Sequence, residues 1–287
     1  MRRPTSFMLV LGFGWASGCG PGVSREAHVY DSRFGAQTEL EVFRVESARA
    51  SSLPAVMLVH GGGWREGSRS QLAGLAQRLA AQGYVAATVS YRLGLSGAYP
   101  AAANDVRCAL TYLQSHATAL GLDAHRVVML GYSAGGHLAS LVATAPLAPD
   151  CAEGAGARPV GVIAAAAPQN LVALSWAGDV QRFMSGPIDA QGARYTEASP
   201  LAHVHASQPP FLLIHGDADA YVPAGQAIEM RDALIAAGND ARLLLLSGGG
   251  HVINPGTSAD QLSYERYVSD SDEAWLAMTG FLERVTQ

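Results

Sequence analysis

The stretch Arg126–Ala143, RVVMLGYSAGGHLASLVA, decides the fold. Its opening run, Val127 to Leu130, is apolar, valine-rich and too short for a helix, which is how a strand buried on both faces reads. Gly131-Tyr132-Ser133-Ala134-Gly135 follows, and after it a run of small and apolar residues reads as a helix. Strand, sharp turn, helix is the setting in which G-x-S-x-G forms a nucleophile elbow. The flanking glycines suit a turn so tight that a Cβ would collide with the neighbouring strand and helix. Such a turn lifts the Ser133 hydroxyl clear of the sheet at the N-terminus of the helix, where the N–H of Ala134 and the positive end of the helix can stabilise an oxyanion. A glycine-rich turn that only happens to hold a serine is the competing reading, and the flanking elements weigh against it.

Working outward, the chain alternates strands and helices. Expected strands are Ala55–Val59 and Val160–Ala166, both read as buried, and Tyr84–Tyr91, Phe211–Ile214 and Arg242–Leu246. Expected helices cover 69–82, 102–120, 224–237 and 272–285, with Gly83 and Gly121 stopping the first two. Residues 27–48 read as two antiparallel strands, the second, Thr38–Val45, alternating polar and apolar side chains as an edge strand does. Residues 168–208 read as irregular with short helical stretches, too little for a large cap. This order predicts an α/β fold, a mostly parallel central sheet with helices on both faces, and places chemistry at the carboxyl ends of the strands. Four of those ends carry conspicuous turns: His60-Gly61-Gly62-Gly63-Trp64, the elbow, His215-Gly216-Asp217-Ala218-Asp219 and Ser247-Gly248-Gly249-Gly250-His251.

Composition narrows the chemistry. The 287 residues are 49% hydrophobic and 15% charged, enough for one large domain with a sizeable core. A net charge of −5 gives no basic field for nucleic acid. All 19 cationic residues are arginine, and the absence of lysine excludes Schiff-base and pyridoxal chemistry, a Ser–Lys dyad and a P-loop. The three cysteines are far apart and the histidines unclustered, so no metal site and no cofactor is expected.

The N-terminus reads as a targeting segment. Arg2 and Arg3 precede an apolar stretch, Phe7–Trp15, too short to span a bilayer, and Ala16-Ser17-Gly18-Cys19 closes it. Small residues before a cysteine resemble the bacterial lipoprotein signal, although Ala16 stands where a leucine is usual. The expectation is a signal peptide over 1–18, lipidation at Cys19, a tether over 19–26 and a catalytic domain over 27–287. The protein would then be exported and held to the envelope membrane only through that anchor; a plain cleaved secretory signal and a buried N-terminal segment are the alternatives. In an oxidising compartment Cys108 and Cys151 are left as a possible pair, with two buried free thiols as the alternative.

HGGGW at 60–64, GYSAGGHLA at 131–139, SPLAHV at 199–204, HGDAD-x-x-VP at 215–223 and the late His251 together resemble the α/β-hydrolase fold. Within it the chain looks like the small serine esterases with an HGGGW oxyanion loop, near the feruloyl/acetyl-xylan esterase-like and hormone-sensitive-lipase-like groups. The resemblance spans roughly residues 28–285. It implies a serine activated by a base that is itself oriented by a carboxylate, in the chain order Ser, Asp, His. Ser133, Asp219 and His251 satisfy that order. The family pattern G-x-x-D-x-x-V-P puts the acid at Asp219, with Asp217 as its rival. Of the nine histidines only His251 follows the acid; His60 is expected to brace its loop, and His137 and His215 to pack. Gly61, Gly62 and Ala134 are the expected oxyanion donors, a phosphate-binding turn being the other reading of HGGG. Trp64 packs the loop or lines the pocket. The implied reaction is hydrolysis of a small-molecule or sugar ester of a small acyl group. An arylformamidase-like amidase, and a non-catalytic surface binding protein on the same scaffold, are the alternatives.

Overall fold

The computed structural model describes residues 22–46, 52–154, 156–251 and 272–287. Cys19 and the N-terminal segment before it lie outside them. Among the described residues no helix is long and apolar enough to cross a membrane.

Eight strands form one sheet: β1 Val23–Val29, β2 Glu39–Val45, β3 Leu53–Val59, β4 Val85–Val89, β5 Leu122–Tyr132, β6 Gly161–Ala165, β7 Phe211–Gly216 and β8 Ala241–Leu246. Their order is β1-β2-β4-β3-β5-β6-β7-β8. β1 and β2 pair antiparallel, as do β2 and β4, and every pair from β4 to β8 is parallel. The helices are α1 Ala73–Ala81, α2 Ala101–Ser115, α3 Ala117–Leu120, α4 Ala134–Thr144, α5 Gly178–Phe183, α6 Ile188–Glu197, α7 Gly225–Ala236 and α8 Asp272–Val285. They cover both faces of the sheet. On β3 and β5, Met57, Val59, Val127 and Met129 pack in the core that α2, α4 and α7 close. The alternate residues Val56, Leu58, Val128 and Leu130 pack in the core closed by α1 and α8. A strand sandwiched this way must be apolar at every position, which is why Val127–Leu130 carries no polar alternation.

The connectivity fixes where a site can form. After β3 the chain steps to β4 on one side, then returns to place β5 on the other side of β3. The crevice between the carboxyl ends of β3 and β5 is therefore the topological switch point, where open α/β sheets bind ligands. The parallel register sets Val59 beside Gly131, so the HGGGW loop and the elbow leave the sheet side by side.

Three of the boundaries that differ from the sequence expectation have a clear physical cause. Val23 to Glu26 belong to β1 rather than to a tether: they pair with Phe43–Val45 and Val42 of β2 through antiparallel hydrogen bonds that no local pattern announces. The helix expected over 102–120 breaks at His116, whose φ −101° and ψ 15° are non-helical and whose ring bonds the Tyr112 carbonyl at 2.9 Å. The helix expected from 69 begins as a 3-10 turn, Arg69–Leu72, opened by a capping box between Ser68 and Gln71. Residues 168–208 hold only α5, α6 and a 3-10 turn at Pro200–His203, and no large cap. Cys108 of α2 and Cys151 are joined in a disulfide, with Cα atoms 5.3 Å apart.

Candidate active site

Ser133 sits between β5 and α4 with φ 51° and ψ −122°, a backbone region costly to any residue with a Cβ. The elbow holds it there. Its N–H donates to the Ala165 carbonyl at 2.8 Å, and its carbonyl accepts the N–H of His137 at 3.0 Å. Gly135 permits the packing, because a Cβ there would lie 2.1 Å from the Val59 carbonyl oxygen. Every residue of α4 is buried, so the helix is apolar on all sides and its N-terminus is aimed at the serine. The first N–H groups of a helix have no partner within it, and that of Ala134 is the first of α4.

The HGGGW loop turns its own peptide groups. The Tyr91 hydroxyl donates to the His60 carbonyl at 2.8 Å, and the His60 ring nitrogen Nδ1 donates to the Gly61 carbonyl at 2.7 Å. In a trans peptide the N–H points opposite to the carbonyl, so the N–H of Gly61 faces away from Tyr91 and that of Gly62 away from the His60 ring. Gly62 has φ 112°, and a Cβ there would lie 2.0 Å from the Glu66 carbonyl oxygen. The loop lies against the elbow: a Cβ on Gly61 would lie 3.2 Å from that of Ser133. Trp64 stacks on Phe183 at 4.6 Å, and its indole N–H donates to Nδ1 of His137 at 3.2 Å. His137 in turn donates from Nε2 to the Ala198 carbonyl at 2.7 Å. Burial pushes His60 and His137 down to about 4, so both are neutral at pH 7 and serve as fixed hydrogen-bonding struts.

Asp219 follows β7 and is buried. Its Oδ1 accepts the N–H groups of Tyr221 and Val222, each at 2.9 Å. Its Oδ2 lies 2.8 Å from Nδ1 of His251 and 3.3 Å from Nε2 of His215. Burial acts to raise the carboxyl, but the hydrogen bonds of His215 and His251, the His251 charge and the Val222 N–H outweigh it and hold it well below the usual carboxylate range. Nε2 of His251 is 3.0 Å from the Ser133 hydroxyl oxygen. An ionised carboxylate at Nδ1 requires a proton there, so Nε2 presents a lone pair to the serine O–H. Asp217 is elsewhere: its Oδ1 accepts the Gly248 N–H at 2.6 Å, tying the ends of β7 and β8 together.

The structure thus brings Ser133, Asp219 and His251 into one hydrogen-bonded chain, with Gly61, Gly62 and Ala134 around the serine. A cavity of about 960 Å³ opens over it, lined by Gly61, Gly62, Ser133, His251, Trp176 and Tyr221 among others. Trp176 and Tyr221 are exposed at its wall, whereas Phe183 and Met184 belong to the core. Among the described residues no group of three His, Cys, Asp or Glu is arranged to hold a metal ion. Two side chains at the site escaped the sequence reading. His215 reaches the acid as well as packing, a contact its spacing of four residues from Asp219 could have suggested. Tyr132 occupies the variable position of G-x-S-x-G, where no signal marks it.

Residues 40–234 match the BD-FAE family model, which is more than half of the chain. The chain is 29% identical over 213 residues to the probable carboxylic ester hydrolase LipM of Mycobacterium tuberculosis, covering 70% of this chain and 49% of that protein. It is 29% identical over 227 residues to esterase LipC of the same organism, covering 74% and 56%. The chain spans about half the length of the curated relatives it matches. Among solved structures, an esterase of the Planctomycetes species Thermogutta terrifontis with propionate bound superposes with a TM-score of 0.70 at 26% identity, covering 89% of this chain and 94% of that one. The same esterase is also known phosphoramylated by tabun.

Proposed function

The chain belongs to the BD-FAE family, and on that membership and the site geometry we propose that it hydrolyses carboxylic esters of small acyl groups through a covalent intermediate on Ser133. The observation that carries the reading is the relay itself: serine hydroxyl to His251 at 3.0 Å and His251 to Asp219 at 2.8 Å. His251 takes the serine proton as Oγ bonds to the ester carbonyl carbon. The carbonyl oxygen becomes an anion facing the N–H groups of Gly61, Gly62 and Ala134; in such sites one donor is worth about 10²–10³ in rate. The imidazolium then gives its proton to the departing alcohol oxygen, the carbon–oxygen bond breaks, and the acyl group stays on Ser133. Water repeats the sequence: His251 accepts its proton, the acid is released, and the serine recovers its hydrogen. Asp219 stays ionised throughout, fixing the imidazole tautomer and stabilising its charged form.

Propionate bound to the Thermogutta terrifontis esterase supports a small acyl group, and its phosphoramylation by tabun supports an activated nucleophile in this fold. The test is Ser133→Ala. It should abolish hydrolysis of short-chain esters and labelling by an organophosphonate probe, with the melting temperature unchanged within a few degrees. Labelling that persists in this variant would place the nucleophile elsewhere.

A further inference from the structure

Tyr132 precedes the nucleophile on β5 and is not part of the relay. Its side chain nevertheless touches the two other parts of the site. On one side its ring lies against the HGGGW loop, where a Cβ on Gly61 would be 3.0 Å from Tyr132 Cδ1. On the other, its ring centroid is 5.3 Å from that of His251, and its hydroxyl donates a hydrogen bond to the backbone carbonyl of His251 itself. Tyr221 flanks the same imidazole, its ring stacked at 5.6 Å. Tyr132 is buried and His251 partly so, with both at the floor of the cavity.

We propose that Tyr132 is a positioning residue that locks the base to the nucleophile. The proposal rests on the hydrolase reading above. The physical need is plain. Ser133 is fixed by the sheet and α4, whereas His251 follows β8 beyond the turn Gly248-Gly249-Gly250, which is tied to Asp217, Ala218 and Leu246 only at Gly248 and Gly249, short of the base itself. The Asp219 contact orients the imidazole but leaves its backbone to be held by something else. The Tyr132 hydroxyl holds it, from the residue adjacent in sequence to the nucleophile. Loss of this tie lets Nε2 drift relative to the serine and to the leaving oxygen, and misplacement of about 1 Å can cost on the order of 10² in rate.

The drift has a chemical signature. Ethoxide needs the proton that His251 delivers; p-nitrophenolate departs without one. Ethyl acetate and p-nitrophenyl acetate form the same acetyl-serine, so they differ only in the steps up to release of the alcohol, which kcat/KM reports. Tyr132→Phe keeps the ring against Gly61 and removes only the hydroxyl. It should lower kcat/KM on ethyl acetate roughly 10- to 100-fold, through kcat with KM unchanged, and on p-nitrophenyl acetate several-fold less. The ratio of the two constants is therefore the readout, with the melting temperature as the control for folding. Tyr132→Leu also withdraws the ring from Gly61 and should lower both constants further while showing the same skewed ratio, so it serves if Tyr132→Phe does not fold. Equal losses on both esters, or no loss, overturn the proposal. A wild-type enzyme that turns over neither ester, and whose Ser133 takes no organophosphonate, overturns instead the hydrolase reading beneath it.

Discussion

At the ends of β3 and β5 the backbone builds the site; at the ends of β7 and β8 side-chain hydrogen bonds do. Ser133 is held at φ 51° because Gly135 lets α4 press against the Val59 carbonyl, and the peptide groups of Gly61 and Gly62 are turned by Tyr91 and His60. Asp219 and His251 instead stand just past strand ends, and their positions depend on the Tyr221 and Val222 N–H groups, on each other and on Tyr132. The first half is a steric object, and a single added methyl group breaks it; the second shares such a contact at Gly216, where a Cβ would lie 2.1 Å from the Gly249 carbonyl oxygen, but its acid and base are set by hydrogen bonds. The second half is an electrostatic one, where exchange of one atom can disable the chemistry while the fold stands.

The largest expected effect tests the electrostatic half. Asp219→Asn keeps an oxygen for the Tyr221 and Val222 N–H groups but can turn an amide N–H toward Nδ1 of His251. The imidazole must then hold its proton on Nε2, facing the serine, where it no longer acts as a base. Loss of about 10⁴ in kcat is the expected scale for this tautomer error, with the melting temperature moved by only a few degrees. Asp217→Asn, which touches the Gly248 N–H, should stay within a few-fold of wild type. Steady-state kinetics of the two variants side by side decide the point, and a reversed ranking would reassign the acid.

The steric half should answer in the opposite currency. Gly135→Ala places a Cβ 2.1 Å from the Val59 carbonyl oxygen and 2.4 Å from that of His60, both backbone atoms that cannot swing aside. The cost should reach or exceed the upper end of the ~1–3 kcal/mol typical of overpacking. Urea unfolding measures it, and a variant as stable as wild type would mean that the elbow and the β3 end yield more readily than these distances allow.

The same contrast explains what was legible in the sequence. Steric demands choose residue types, so HGGGW and GYSAGG stand out, and the buried strand Val127–Leu130 reads directly because both of its faces are covered. Hydrogen-bonding demands choose positions in space. Asp217 and Asp219 offer the same carboxylate two residues apart; only the resemblance to a family pattern separates them in the sequence, and the three-dimensional turn sends one to Gly248 and the other to His251. Tyr132 was invisible because the partner of its hydroxyl is a backbone carbonyl 119 residues away, which any residue type supplies. β1 began earlier than expected for a related reason: Val23-Ser24-Arg25-Glu26 has no strong apolar alternation and owes its strand to the pairing with β2. The break at His116 has no glycine or proline to announce it.

Acid should take the two halves apart at different pH. His60 and His137 brace the steric half, and burial holds both at about 4 against an ordinary 6.5. Between those values the unfolded chain binds protons at these positions that the folded chain does not. Stability from the neutral struts is therefore complete above pH 6.5 and declines as the pH falls toward 4, by at most ~3 kcal/mol for each imidazole. Asp219 titrates in the same direction but later. Its folded carboxyl lies below the ordinary 3.8, so its contribution is complete above that value and is lost only on further acidification. Mild acid should thus loosen the HGGGW loop and α4 while the turn after β7 still holds. Hydrogen exchange at pH 7 and pH 4.5 reads this by region. His137→Gln removes one of the titrating struts; it should be less stable than wild type at pH 7, yet lose ~3 kcal/mol less between pH 6.5 and 4. Denaturant curves across that range are the measurement, and a slope as steep as that of wild type would show that His137 is not among the groups that make the fold acid-sensitive.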